Sequence, residues 1–253
     1  MAGRLDGKVA IITGTGGGQG RAAALRFTEE GAHVIGCDLD TESNEATVAA
    51  VKASGHDMTG MAPVDLGASE AAQAWVAEAA AAGGRIDIVY NNASAARFGP
   101  IGEMPVADWQ FTIRNELDLV FYVTKFAWPH LAARGGVIIN VASMAGHTAS
   151  RAVPMIAHAA TKGGVLAMTR QMAAEGAPHG IRAVSISPGV IETPGTAAQL
   201  ADPAIRSALT GQCLIPRPGQ PQDVVGLAAF LASDEAAYIT GTDFVVDGGM
   251  SAI

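Results

Sequence analysis

The sequence predicts an α/β chain: a single doubly wound domain over 1–253, with a mostly parallel sheet of about seven strands and helices on both faces. Three observations predict it. Short runs rich in Val and Ile alternate with longer Ala-rich stretches of helical character. Those runs are continuously apolar, as strands buried on both faces are, and do not alternate with polar residues. A glycine-rich turn, Thr13-Gly14-Thr15-Gly16-Gly17-Gly18-Gln19-Gly20, follows the first run directly and opens a helical segment from Arg21 to Glu30.

In chain order, strands are expected at Val9–Thr13, His33–Cys37, Thr59–Val64, Ile86–Asn91, Val137–Val141, Ala183–Ile186 and Phe244–Val246. Helical stretches fill the gaps, among them Glu70–Ala82, Trp109–Ala133, Ala157–Ala177 and Gln222–Ser233. No repeat, low-complexity tract or linker divides the chain. The least regular stretch, 192–219, holds Pro194, Pro203, Pro216 and Pro218 and reads as a lid over a ligand site. Trp75, Trp109 and Trp128 fall in helical stretches and are expected to pack between layers. Met155 and Met168 are read as packing residues.

Composition narrows the function. Of 253 residues 49% are hydrophobic, enough for a large core, and the net charge of −8 disfavours a nucleic-acid partner. No apolar stretch reaches spanning length, and the opening Met1-Ala2-Gly3-Arg4-Leu5-Asp6-Gly7-Lys8 lacks a signal-peptide apolar region, so a cytoplasmic protein without a membrane role is expected. Two cysteines, Cys37 and Cys213, are too few for a disulfide framework or a metal cluster.

Strand, glycine turn and helix in that order make a phosphate site, because glycines admit the backbone close to a pyrophosphate and free N–H groups point at its charge. Asp38 ends the next apolar stretch, about 20 residues on, where a dinucleotide fold holds a ribose. Ligands of open α/β sheets bind beyond the carboxyl ends of strands. That places weight on Asp65-Leu66, Asn91-Asn92-Ala93-Ser94, Ser143 and the turn Ser187-Pro188-Gly189-Val190-Ile191-Glu192-Thr193, although each alone is also ordinary turn or cap chemistry. Lys162 and His158 lie four residues apart and share a helix face.

Taken together these motifs resemble the short-chain dehydrogenase/reductase family, a Rossmann-type fold, over nearly the whole chain from Lys8 to Gly249. Gly14, Gly18 and Gly20 match its TGxxxGxG turn. Asn91-Asn92-Ala93-Ser94 is similar to its NNAG, with Ser94 in place of the glycine. Asn115, 24 residues after Asn91 and 28 before Ser143, falls where the family's helix asparagine would, beside Glu116. The resemblance implies hydride transfer at a carbon bearing oxygen, with Ser143 holding the substrate oxygen, Lys162 the nicotinamide ribose and Asn115 a water chain. The cofactor-binding set it implies begins with Gly14, Thr15, Gly18, Gln19 and Gly20. Asp38, Leu39, Asp65 and Leu66 follow, then Asn91, Ala93, Lys162, Ile191 and Thr193. A homotetramer through the Trp109–Ala133 and Ala157–Ala177 helices is also implied.

One departure matters most. The family pattern is Tyr-x-x-x-Lys, and this chain reads His158-Ala159-Ala160-Thr161-Lys162. Tyr90, Tyr122 and Tyr238 offer no evident substitute. A phenol titrates near ~10 and an imidazole near ~6.5, so an imidazole reaches working range without help. A neighbouring Lys162 cation would keep it neutral, a good base towards an alcohol and a poor acid towards a carbonyl. His158 is therefore expected to serve as acid/base, directly or through water, with alcohol oxidation favoured and reduction weakening as pH rises. His147 is a rival base.

Asp38 would repel a 2′-phosphate, and neither Gly17 nor Leu39 supplies a positive charge, so NAD is expected over NADP. Asp38 could instead cap the next helix, a role open to Asp40 or Thr41. Ala95, Ala96, Met144, Ala145, Val153 and the 191–214 lid are expected around the substrate, without a charged clamp, which suits a neutral hydrophobic secondary alcohol or ketone. Two other functions fit the same motifs: an NAD-binding sensor or partner subunit with little turnover, and a cofactor-assisted lyase or isomerase.

Overall fold

The computed structural model describes residues 3–151, 153–211 and 213–252. Met1 and Ala2 of the opening segment, and Gln212 within 192–219, lie outside the described residues. The first half of the chain runs β1 Val9–Thr13, α1 Gly18–Glu29, β2 His33–Cys37, α2 Thr41–Ala53, β3 Met58–Met61, α3 Ser69–Gly83, β4 Ile88–Asn91 and α4 Val106–Ile113. After a π-helical turn at Arg114–Asp118 come α5 Leu119–Ala132, β5 Gly136–Val141, α6 Ile156–Gly176, β6 Ile181–Pro188, α7 Ala197–Leu200, α8 Pro203–Thr210, α9 Pro221–Ala232 and β7 Asp243–Val246.

All seven strands pair in parallel, in the order β3-β2-β1-β4-β5-β6-β7. The doubly wound Rossmann-type sheet is thus present. Alternate residues of one strand feed opposite cores. Ala10 and Ile12 of β1 pack with Phe27 of α1 and with Val224 and Ala228 of α9. Val9 and Ile11 pack with Trp75 of α3, Val123 and Leu131 of α5, and Val165 of α6. Both halves of the period being buried explains why the strand reads as an unbroken apolar run.

Several boundaries differ from the sequence expectation. The third strand stops at Met61 and not Val64, because Pro63 has no N–H to give the ladder. The single helix expected over 109–133 is two helices joined by the π turn. There Asn115 Nδ2 donates to Phe111 O at 2.8 Å, and Asn115 O accepts Ala95 N at 3.2 Å, drawing it out of the helical ladder. The 192–219 stretch carries α7 and α8, the latter capped by Asp202 on Ala204 N and Ile205 N. Of the tryptophans, Trp75 is buried and Trp128 packs at the edge of the α3/α5/α6 core, but Trp109 is exposed, on the outer face of α4.

The sheet order reverses between β1 and β4, and the loops leaving those two strands are tied together. Thr13 Oγ1 accepts the N–H groups of Asn92 and Ala93, both at 2.9 Å, and Asn92 Nδ2 donates to Thr13 O at 3.0 Å. Crevices open at this switch point in doubly wound sheets.

Candidate active site

A cavity of about 490 Å³ lies at the switch point, walled by Gly14, Gly18 and Gln19 on one side and by Asp38, Leu39, Asp65 and Leu66 on the other. Ala93, Ala95, Asn115 and Thr193 complete it. Gly14 has φ +75°, and a Cβ there would meet Ala93 Cα at 2.9 Å, so only glycine lets the two loops close. A Cβ at Gly20 would run into Gly14 O, which fixes the start of α1 against the turn. The first turn of α1 has no side-chain cap and no acidic residue, leaving its N–H groups for an anion. Gln19 Oε1, on the wall, is buried without a hydrogen-bond partner and can accept from a hydroxyl. These features fit a dinucleotide.

Asp38 sits at the end of β2 with its carboxylate fixed by Gly16 N at 2.7 Å and Asp40 N at 3.0 Å. Asp40, not Asp38, caps α2, through Ser43 N at 2.7 Å. Asp65 is paired with Arg114 at 2.6 Å, and the guanidinium beside it holds its carboxyl below the usual carboxylate range.

A second cavity, of about 610 Å³, opens under the 192–219 stretch. Ser143 and His158 share its wall with Phe98, Met144, Ala145, Val153 and Ile191. Ser143 starts the turn Met144–Gly146 and accepts Ala145 N at 3.1 Å, so its side chain also serves as a cap. Met155, expected only to pack, lines this cavity, and so does Arg151, a charged group where none was expected. Met168 packs on the α3/α5/α6 core.

His158 is held from behind. Its Nδ1 lies 2.9 Å from both carboxylate oxygens of Glu116, which is 1% exposed. The same carboxylate accepts Ser94 Oγ at 2.6 Å and Thr161 Oγ1 at 2.6 Å. Burial alone would raise the Glu116 pKa. The Lys162 charge and the bonds from His158 and Ser94 outweigh it and bring the carboxyl down to about 2. Lys162 is itself buried, with its pKa lowered by that burial against the pull of Glu116, and its Nζ donates to Val141 O at 3.1 Å. The charged group in contact with the imidazole is therefore a carboxylate, not the Lys162 ammonium that the sequence suggested. Sequence reading passed over Glu116. Its one signal was the serine at position 94, since Glu116 sits among polar neighbours in Arg114-Asn115-Glu116-Leu117-Asp118.

Not every expected residue reaches a wall. Thr15 is buried and bonds Asn44 Oδ1 at 2.7 Å; Gly20 packs beneath the turn. Asn91 is in the core, donating to Thr124 and Asn140 at 3.0 and 2.8 Å, and Lys162 lies behind the walls. Ile191 faces the second cavity, Ala95 the first, and Ala96 neither. His147 turns away, with Nε2 at 2.8 Å from Asp243 Oδ2 and 3.3 Å from Ser187 Oγ, which removes it as a rival base at the cavity. Tyr90 packs on Phe27 in the core, Tyr122 packs against the α3/α5/α6 core, and Tyr238 is fully exposed; none lines the cavity of His158.

Comparison with known proteins agrees with this architecture. The profile of the family described as "Enoyl-(Acyl carrier protein) reductase" matches residues 14–251. Meso-2,3-butanediol dehydrogenase of Serratia marcescens is 35% identical over 98% of this chain and 96% of its own. The 3-oxoacyl-[acyl-carrier-protein] reductase FabG of Thermotoga maritima is 36% identical over 98% and 99%. The crystal structure of a short-chain type dehydrogenase/reductase from Mycobacterium marinum superposes with a TM-score of 0.94 at 29% identity, covering 98% and 97% of the two chains. The glycine turn, the switch-point cavity and these likenesses along the whole length carry one conclusion: the chain belongs to the short-chain dehydrogenase/reductase family, oxidoreductases that act on CH–OH groups with a nicotinamide cofactor.

Proposed function

We propose that this protein is an NAD-dependent oxidoreductase that interconverts a neutral hydrophobic secondary alcohol and its ketone, with His158 in the acid/base place that tyrosine holds in the family pattern. The observation that carries this reading is the shared wall of Ser143 and His158 in the 610 Å³ cavity, with a buried carboxylate behind the imidazole. When bound, NAD supplies the hydride acceptor; the protein orients the reactants and moves one proton.

Asp38 supports the choice of NAD. Its carboxylate stands on the cavity wall where a ribose would bind, with Leu39 beside it and no basic residue on that wall. Gly14, Gly18 and the uncapped start of α1 would hold the pyrophosphate; Asp65, Leu66, Ala93 and Thr193 would border the rest of the cofactor. Ser143 Oγ would hold the substrate oxygen, Asn115 on the wall of the first cavity would anchor a water chain, and Lys162 would stand behind the walls. His158 takes the hydroxyl proton during oxidation, and Glu116 offsets the positive charge that this creates. Residues 192–219 act as the lid, since α7 and α8 roof the cavity with Gln199, Leu200, Ala208 and Leu209. Mostly small and apolar side chains line it, and the butanediol dehydrogenase likeness agrees with an alcohol substrate.

A homotetramer through α5 and α6 is supported by a groove between them, lined by Phe121, Trp128, Met168 and Met172 with Lys125 and Glu175 beside them. Free thiols at Cys37 and Cys213 agree with a reducing cytoplasm, and no described helix is long and apolar enough to cross a membrane. The test is NADH formation with a panel of acyclic and cyclic secondary alcohols. Turnover with NAD, and little with NADP, supports the reading. Stabilisation by NAD without any turnover would favour a binding role instead.

A further inference from the structure

Two departures from the family pattern, Ser94 and His158, lie 22 and 42 residues from Glu116 in sequence and meet on its carboxylate. We propose that Glu116 is the positioning residue of a carboxylate–imidazole pair: it fixes His158 in the tautomer protonated at Nδ1, so that Nε2 keeps its lone pair for the substrate cavity. The proposal rests on the acid/base role of His158 given above.

Geometry supports the Nδ1 contact, and His158 lines the cavity. Nδ1 is the nitrogen that faces Glu116, within 2.9 Å of both oxygens, so an acceptor-only carboxylate requires a proton there. Ser94 Oγ donates to one oxygen and Thr161 Oγ1 to the other, both at 2.6 Å, which clamps the plane of the carboxylate. The ring of Phe98 packs edge-on against the imidazole, with centroids 5.7 Å apart, and limits its rotation. A serine hydroxyl at position 94, where the family pattern has glycine, gives the anion a donor that glycine lacks.

The charged groups around the ring are few. Glu116 faces it from the π turn, Lys162 lies one turn on along α6, and Arg151 stands on the cavity wall. Among the described residues, Glu116 is the one charged group paired with it. In the oxidation step the alcohol O–H bond breaks and an Nε2–H bond forms. A bound oxidised nicotinamide would supply the acceptor for the carbon's hydrogen and its electron pair, so that alcohol becomes ketone while the imidazole becomes imidazolium. Glu116 remains ionised and stabilises that cation, as the third member of a serine-hydrolase triad does.

Histidine-selective ¹⁵N labelling and long-range ¹H–¹⁵N spectra of the cofactor-free protein test the pair without reference to turnover. The wild type is expected to show His158 in one neutral tautomer, protonated at Nδ1. In Glu116→Gln the Nε2-protonated form should appear, and kcat for alcohol oxidation should fall about 10²-fold or more with KM within about threefold. Should Glu116→Gln not fold, Glu116→Asp is read the same way, since a side chain one methylene shorter withdraws from Nδ1. A wild-type ring protonated at Nε2, or an unchanged tautomer and kcat in the variants, overturns the proposal. Failure of the His158 reading is separate: His158→Ala at wild-type kcat would remove the imidazole from the chemistry while leaving the wild-type tautomer result standing.

Discussion

Glu116 makes a quantitative stability prediction. Its carboxyl is held at about 2, against an ordinary value of 4.5, through the Lys162 charge and the bonds from His158 and Ser94 prevailing over burial. A carboxyl depressed on folding stabilises the native state above its unfolded pKa and loses that contribution as pH falls through the folded value. The gap between 4.5 and about 2 corresponds to about 3 kcal/mol, present in full above roughly pH 5 and gone near pH 2. Glu116→Gln removes the titration, mimics the protonated acid, and leaves the buried Lys162 ammonium without its compensating anion. At pH 7 the variant should lose about 3 kcal/mol, or about 6–12 °C in Tm for a chain of this size. Urea unfolding of both proteins at one fixed concentration, from pH 7 down to pH 3, is the assay. The difference between them should narrow steadily below about pH 4.5. A difference that stays flat across that range would refute the electrostatic account of this cluster.

Three other outcomes follow from named contacts. Asp38→Asn keeps an oxygen for Gly16 N but drops the negative charge, so the ratio of NADP to NAD affinity should rise about tenfold by titration of both cofactors. Gly20→Ala should lower Tm and weaken nucleotide binding, since its Cβ runs into Gly14 O, at a cost of about 1–3 kcal/mol or more; Gly17→Ala, whose nearest neighbour is Pro194 Cγ at 3.7 Å, should be tolerated. Phe121→Glu places a charge in the groove between α5 and α6, and light scattering should then find a smaller assembly than in the wild type.

The sheet was legible because burial on both faces leaves a direct mark: Val9 to Ile12 had to be apolar throughout to feed two cores. The turn was legible because Gly14 occupies a conformation that other residues avoid and lies against Ala93. Asp38 was expected beside that turn from its distance in sequence, and its carboxylate bonds Gly16 N there. The π turn was not, because it arises from Asn115 bonding back to Phe111 and from Ala95 approaching across a loop, neither of which leaves a periodicity. Glu116 was hidden for a related reason. Its partners come from 22 to 45 residues away, and a buried acid in sequence resembles a surface one until the fold supplies Ser94, His158 and Thr161. Asn91 was expected to touch a ligand as a polar residue at a strand end; the fold commits its Nδ2 to a buried network with Thr124 and Asn140.

The central claim is that the His158 imidazole carries the proton. The turnover number for NAD-linked oxidation of a secondary alcohol, measured in wild type and in His158→Ala, tests it most directly. The account predicts a fall of about 10²–10⁴-fold in kcat, with NAD affinity retained because His158 lies off the cofactor-side cavity. A kcat equal to that of the wild type would contradict it.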